Sequence, residues 1–289
     1  MIYASGADYR AARQKRVLLF GMSGLGKTYL ANMLREAGGW FHYSIDYRIG
    51  TRYMGEFIAD NFKREAMKVP LLRELLMTDS VYIASNITFD NLAPLSTYLG
   101  KPGDPARGGV AFAEYCKRQA QHRDAEIHAL LDTPRFIERA HDIYGYDNFV
   151  CDSGGSICEV VDAANPDDPV MKTLSDNLLM VWIKGSDAHR DELIRRFDRA
   201  PKPMYYQPDF LDQVWAEYLA REGKPAGAVD PDAFLRFGYA RLLEHRQPRY
   251  AAMARWGITL TAEEVATVRD AQGFHDLIAA TLDRGPAAV

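Results

Sequence analysis

Residues 16–28 read RVLLFGMSGLGKT, and the rest of the chain is read outward from this stretch. Arg16–Phe20 is a short apolar run, the pattern of a strand buried on both faces in a parallel sheet. From Thr28 to Ala37 the period becomes helical, with Leu30, Met33 and Leu34 on one side. Between the two, Gly21–Thr28 fits the eight-position pattern G-x-x-x-x-G-K-[ST], with Gly21, Gly26, Lys27 and Thr28 in register. Loop N–H groups at the start of a helix form a cradle for anions, and the helix dipole adds to it. Lys27 can then reach the outer phosphates of a nucleoside triphosphate, and the Thr28 hydroxyl can bind Mg²⁺. Ser23, Gly24, Leu25 and Tyr29 complete the expected nucleotide-binding set.

Four more apolar runs, Trp40–Ile45, Asp147–Asp152, Leu178–Lys184 and Trp256–Thr261, read as further short strands. Helical patterns alternate with them at Asp187–Arg199, Asp209–Glu222, Asp230–His245, Ala262–Val268 and Phe274–Leu282. This alternation predicts an α/β fold with a five-stranded parallel sheet and right-handed crossovers. Ligands in such sheets bind at the carboxyl ends of the strands. The 21–28 loop, Asp46, the SGGS loop after Asp152 and Lys184 all fall at such ends. From Tyr53 to Tyr146 the chain is mostly helical, with long helices expected at Tyr53–Val69 and Val110–Leu131 and a shorter one at Pro134–Tyr144. Within it, SVYIASNI reads equally as strand or buried helix, and Gly100–Gly109 is a loop by composition. The expected division is therefore a core of 1–52 and 147–289 with a lid, interrupted by a helical insertion at 53–146. The tail RGPAAV is expected to fray.

Bulk properties narrow the partners. Hydrophobic residues make up 47% of the 289, enough for a real core, and the net charge of −4 lacks the basic footprint of a general nucleic-acid binder. Cys116, Cys151 and Cys158 have no metal-ligand spacing, and no two of the seven histidines stand four residues apart. No apolar run approaches the roughly 20 residues of a membrane span, and the N-terminus is polar. A cytoplasmic protein with no membrane or nucleic-acid partner is the expectation.

The remaining strand ends choose among nucleotide-binding classes. The run MVWIK leads into GSDAH, with no guanine-reading NKxD motif, so adenine is the expected base. Asp152 is followed by SGGS without an adjacent glutamate, which disfavours a motor ATPase that needs one acid for Mg²⁺ and another for water. The order of motifs resembles the P-loop small-molecule kinases of the shikimate kinase and nucleoside monophosphate kinase group. YSIDYRI is similar to that family's second strand end, with Asp46 at the acceptor-facing aspartate and Ser44 where another aspartate would stand. FVCDSGGS is similar to its third strand end, with Gly154 and Gly155 matching a glycine triplet and Ser156 departing from it. RRFDRAPKP resembles its lid, and RQPRYAAMARWGITLT its adenine-flanking segment and last strand. The resemblance implies a three-layer P-loop NTPase fold, ATP and Mg²⁺ as cofactors, and phosphoryl transfer. The 53–146 region is much longer than the family's acceptor-binding insertion.

Roles follow, each beside a plainer reading. Asp46 is the candidate general base and Asp152 the candidate Mg²⁺ partner or base; either can instead cap a helix. Arg48 and Arg52, and more weakly Arg64, suit an anionic acceptor. Gly154 and Gly155 let backbone amides approach that acceptor, or simply make a turn. Among Arg190, Arg195, Arg196 and Arg199, the candidates over the phosphates are Arg196, stabilising transition-state charge, and Arg199, binding nucleotide; the others suit surface ion pairs. The MYY run at Met204–Tyr206 fits packing better than ring stacking. The expected activity is an ATP-dependent kinase acting on a hydroxyl of a small molecule. The alternative is an ATPase or nucleotide-dependent switch that acts on a protein partner through the helical insertion.

Overall fold

A computed structural model describes residues 1–285, so all but the first two residues of the RGPAAV tail lie outside the described residues. The chain begins α1 (Gly6–Ala11), β1 (Arg16–Phe20), α2 (Lys27–Glu36), β2 (Trp40–Ser44) and α3 (Ile45–Arg48), then makes a π-helical turn at Ile49–Tyr53. Next come α4 (Gly55–Ala66), α5 (Pro70–Met77), α6 (Ala93–Leu99), α7 (Phe112–Leu131), α8 (Thr133–Asp142), β3 (Asn148–Asp152), α9 (Ile157–Val160) and α10 (Pro169–Asn177). The last part is β4 (Leu179–Lys184), α11 (Asp187–Arg199), α12 (Pro208–Glu222), α13 (Pro231–Ala254), β5 (Ile258–Thr261), α14 (Ala262–Thr267) and α15 (Ala271–Arg284).

The five expected strands form one all-parallel sheet in the order β2-β3-β1-β4-β5. Val17, Leu18, Leu19 and Phe20 are wholly buried, as a central strand covered on both faces requires. From β1 the chain moves to the β2 edge; from β3 it moves the opposite way, across β1, to β4. Right-handed crossovers in opposite directions place their helices on opposite faces. In accord with this, α2 packs on β2 and β3, while α10 packs on β4 and against α8. The direction therefore switches between β1 and β3, and the crevice at their carboxyl ends lies between the 21–28 and 153–156 loops.

The chain divides into two compact units. The first comprises Met1–Ile45, Ile127–Ala200 and the chain from Arg236 onward; it holds the whole sheet. The second comprises Asp46–Glu126 and Pro201–Leu235. This division differs from the expected 53–146 insertion at both ends. Residues 127–146 belong with the sheet because α8 packs on β2 and β3. Residues 201–235 belong with the helical unit, where Tyr115 Oη and Gln119 Nε2 both donate to the Met204 carbonyl and the Tyr206 N–H donates to Gln119 Oε1. Tyr205 and Tyr206 are buried there, which is the packing role of the MYY run.

Local departures have local causes. SVYIASNI is neither strand nor helix: residues 81–88 are irregular, Tyr82 is 88% exposed, and of the apolar positions only Ile87 is fully buried, against Gly50. An apolar run with one inward side chain has no face to fix a register. The helix expected to end at His245 continues to Ala254 with Pro248 inside it. Its apolar stripe of Tyr239, Leu242, Leu243, Tyr250 and Met253 stays buried across the proline, and that burial outweighs the lost hydrogen bond.

At the entry to β5, a β-carbon on Gly257 would collide with the Met180 carbonyl oxygen. Gly257→Ala must push the β4–β5 ladder apart, since backbone cannot step aside as a side-chain tip can. The expected loss is about 3 kcal/mol or more, read as a lower urea midpoint, whereas Gly227→Ala, with open space around it, leaves the midpoint unchanged.

Candidate functional site

The 21–28 loop turns β1 into α2 through three glycines in the left-handed region: Gly21 at φ 137°, Gly24 at 83° and Gly26 at 93°. Gly21 is further confined, because a β-carbon there would lie 2.5 Å from the Ile183 carbonyl oxygen of β4. Gly26 is the N-cap of α2 and offers no side chain, so the first-turn N–H groups of that ten-residue helix face the loop without a capping oxygen. Lys27 is buried, and its Nζ donates to the carbonyls of Gly21 at 2.8 Å and Met22 at 2.9 Å. Ser23, Thr28 and Tyr29 are exposed, and Leu25 is buried against the Gly185 position. The arrangement brings together the N–H donors of a helix start, a lysine folded over the loop, and an accessible hydroxyl at Thr28.

Across the switch point, Leu19 is in register with Asp152, the last residue of β3. Asp152 is buried, and its Oδ2 lies 3.8 Å from Nε2 of His42, two residues back from the end of β2. Asp152 is thus a strand-end carboxylate rather than a helix cap. Ser153 ties its loop to the first strand: its N–H and its hydroxyl both donate to the Leu19 carbonyl. A β-carbon on Gly155 would lie 2.7 Å from Ser23 Oγ and 3.5 Å from the Ser23 N, so the two loops abut. Gly154 is buried beside it.

Behind this loop sits a buried cluster that sequence reasoning missed. Glu159 and Arg246 are both buried, and Arg246 Nε donates to Glu159 Oε1 at 2.7 Å. His245 Nε2 lies 3.6 Å from the other carboxylate oxygen. Burial alone would raise the Glu159 carboxyl; the charge of Arg246 and hydrogen bonds from His245 and Arg246 outweigh it and hold the group below the ordinary range. Tyr250 Oη donates to the Gly155 carbonyl. The Arg-x-x-x-Tyr segment expected beside adenine is therefore packed beneath the 153–156 loop, because Arg246 and Tyr250 lie on the buried stripe of α13. The signal was present: an arginine on an apolar stripe requires a buried acid.

The other expected residues have the following surroundings. Arg196 is exposed and pairs with Glu192 at 3.5 Å, one turn back on α11; Arg199 is exposed in the last turn of that helix. Arg190 and Arg195 make similar surface pairs with Asp187 and Glu192. The α11 side chain that reaches the loop is Leu193, whose Cδ2 lies 3.0 Å from a β-carbon built at Gly24. Asp46 is half-buried in the first turn of α3, at the start of the second unit. Arg48 lies over the Tyr53 ring at 5.4 Å, Arg52 is exposed, and Arg64 is on the solvated face of α4. No group of three or more His, Cys, Asp or Glu among the described residues makes a metal cage, and no described helix is long and apolar enough to cross a membrane. No protein-family model matches the chain, and no curated protein or solved structure matches it either.

Removing the acid at 159 strands a buried guanidinium. Glu159→Gln is expected to cost about 3–5 kcal/mol near neutral pH. Because the folded carboxyl titrates below its unfolded value, the bridge contributes above about pH 4.5 and fades as pH falls through the lower folded value. Urea titrations of wild type and variant should therefore converge on acidification; a gap that persists unchanged well below pH 4 contradicts this account.

Proposed function

We propose that the chain is an ATP-dependent phosphotransferase, moving the γ-phosphoryl group of ATP onto a hydroxyl of a small acceptor. The observation that supports this most is the meeting of the 21–28 and 153–156 loops across the β1/β3 switch point, with Asp152 ending β3 between them. On this reading the loop N–H groups and Lys27 hold the phosphate chain, and Leu193 of α11 covers the loop. Thr28 and Asp152 offer hard oxygen donors, which suit Mg²⁺ carried by a nucleotide, a cation that needs few protein ligands. Bound there, Mg²⁺ would neutralise charge on the phosphate oxygens. Asp46, two residues past the end of β2, takes the proton of the acceptor hydroxyl as its oxygen attacks γ-phosphorus, and ADP leaves. Gly154 and Gly155 bring backbone close to the acceptor, and Arg48 and Arg52 suit an anionic one. Adenine follows from the missing guanine-reading motif.

Hydrolases of this general kind need a second acid to activate water. The first acid after Asp152 is Glu159, and Arg246 holds its carboxylate at 2.7 Å. That group is committed to a structural bridge, which favours transfer over hydrolysis.

The test is ATP turnover with and without a pool of hydroxyl-bearing metabolites, with phosphorylated products identified by mass. Wild type is expected to turn over ATP only with an acceptor. Lys27→Ala should lose both nucleotide binding and transfer. Asp46→Asn should lose about 10²–10⁴-fold in transfer while keeping its affinity for ATP. Turnover indifferent to acceptors but raised by a protein partner would overturn the proposal in favour of the ATPase or switch reading.

A further inference from the structure

The second unit carries a surface the proposed chemistry does not use. Between residues 69 and 82, six large apolar side chains are exposed: Val69, Leu71, Leu72, Met77, Val81 and Tyr82. Leu71 is 65% and Met77 71% exposed, and α5, which spans Pro70–Met77, has no buried residue at all. Contiguous exposed apolar area on the order of several hundred Å² marks interaction surfaces on soluble proteins. Leu75 and Leu76 are half-buried, which turns the opposite face of α5 outward. That outward face carries Pro70, Arg73, Glu74 and Met77, at the i, i+3, i+4, i+7 spacing of a helix contact stripe. With Met67 and Lys68 these same residues line a groove of about 350 Å³.

The stripe is complementary to itself. An antiparallel two-fold pairing centred on the middle of α5 sets Arg73 against the partner's Glu74 and Glu74 against the partner's Arg73. The same operation sets Pro70 against the partner's Met77, while Lys68 just before the helix is held by Glu65 of its own chain at 2.7 Å. At the centre each charge meets its opposite and Pro70 meets Met77, the self-matching that an isologous interface requires. Charges of mixed sign in this order are a poor match for a surface of single charge, such as an acidic peptide or an anionic membrane.

We infer that the outward face of α5 is a homodimer interface, whose occupant is α5 of a second copy of this chain. The contact is small, so the dimer is a weak one with a dissociation constant in the micromolar range. Its heart is the two-fold pair of Arg73–Glu74 contacts, flanked by Met77 and Pro70.

The experiment is sedimentation velocity on the full chain from about 1 to about 300 µM, which brackets micromolar dissociation constants. Wild type is expected to shift from monomer to dimer across that range. Arg73→Glu alone, or Glu74→Arg alone, turns both central contacts into like-charge pairs and should weaken association by at least about tenfold. The double exchange Arg73→Glu with Glu74→Arg restores opposite pairs and should restore the dimer. Met77→Asp should abolish it. All three sites are exposed, and circular dichroism melts of the four variants should match wild type. A monomer throughout the range, a dimer indifferent to the single reversals, or single and double variants equally impaired would each overturn the inference. So would a monomer that floats with phosphatidylcholine–phosphatidylglycerol vesicles and loses that property in Met77→Asp.

Discussion

The turn at Gly21 is the constraint on which the rest of the site depends. β1 lies between β3 and β4, and its exit passes so close to β4 that a side chain at 21 would strike the Ile183 carbonyl. Only a residue without Cβ can take φ 137° there at little cost. That turn aims the chain back over the sheet, starts α2 at Lys27, and leaves the helix's first N–H groups facing the loop. It also fixes what the neighbouring loop can be. Gly155 passes within contact of Ser23, so the backbone approach of Gly21 to β4 on one side of β1 and the meeting of the two loops on the other define the mouth of the crevice.

The neighbouring loop is held from below. The 153–156 loop is pinned at one end by two hydrogen bonds from Ser153 to Leu19 and further along by Tyr250 Oη on Gly155. Tyr250 shares a helix with Arg246, which is locked to Glu159 just past the loop's far end. Burying that ion pair costs several kcal/mol of desolvation per charge, and a hydrophobic pair of equal volume would serve stability as well. What an apolar pair could not supply is direction: the fork of Arg246 sets the position of Glu159, and with it the exit of the loop into α9. Burial pushes the Tyr250 phenol well above its ordinary range, so it stays a hydroxyl and remains a donor to Gly155.

The parts of this architecture that were legible in the sequence are those governed by short-range rules. Short, mostly apolar runs located all five strands, most plainly β1 and β4, because a central parallel strand is apolar on both faces. The glycine–lysine spacing located the turn, because φ above zero leaves few choices of residue. What stayed hidden was long-range. Arg246 and Tyr250 were read as ligand-flanking because their spacing resembles a known segment, but the stripe of α13 turns them inward. Arg196 was favoured by its place in an arginine-rich helix, yet Glu192 lies one turn away on the same exposed face. The attachment of residues 201–235 to the helical unit depends on Gln119 and Tyr115, whose partners no local pattern announces. SVYIASNI defeated periodicity for a related reason: its composition is apolar, but only Ile87 found a core to enter.

Two acids on one strand–loop–helix segment illustrate how environment divides labour among identical functional groups. Asp152 ends β3 with the imidazole of His42 3.8 Å from one oxygen. Glu159, seven residues on, meets a guanidinium at 2.7 Å and an imidazole at 3.6 Å on its two oxygens. A carboxylate so fully engaged has little capacity left to bind a cation or to take a proton from water. The segment therefore ends its strand on one acid beside His42 and uses the other to hold the loop between them. If the charge on Arg246 were instead free to swing toward the phosphates, Glu159 would be an uncompensated buried anion, and the loop that Gly155 threads past Ser23 would lose its anchor. The bridge thus ties the 153–156 loop to α13 and fixes the chain's exit into α9.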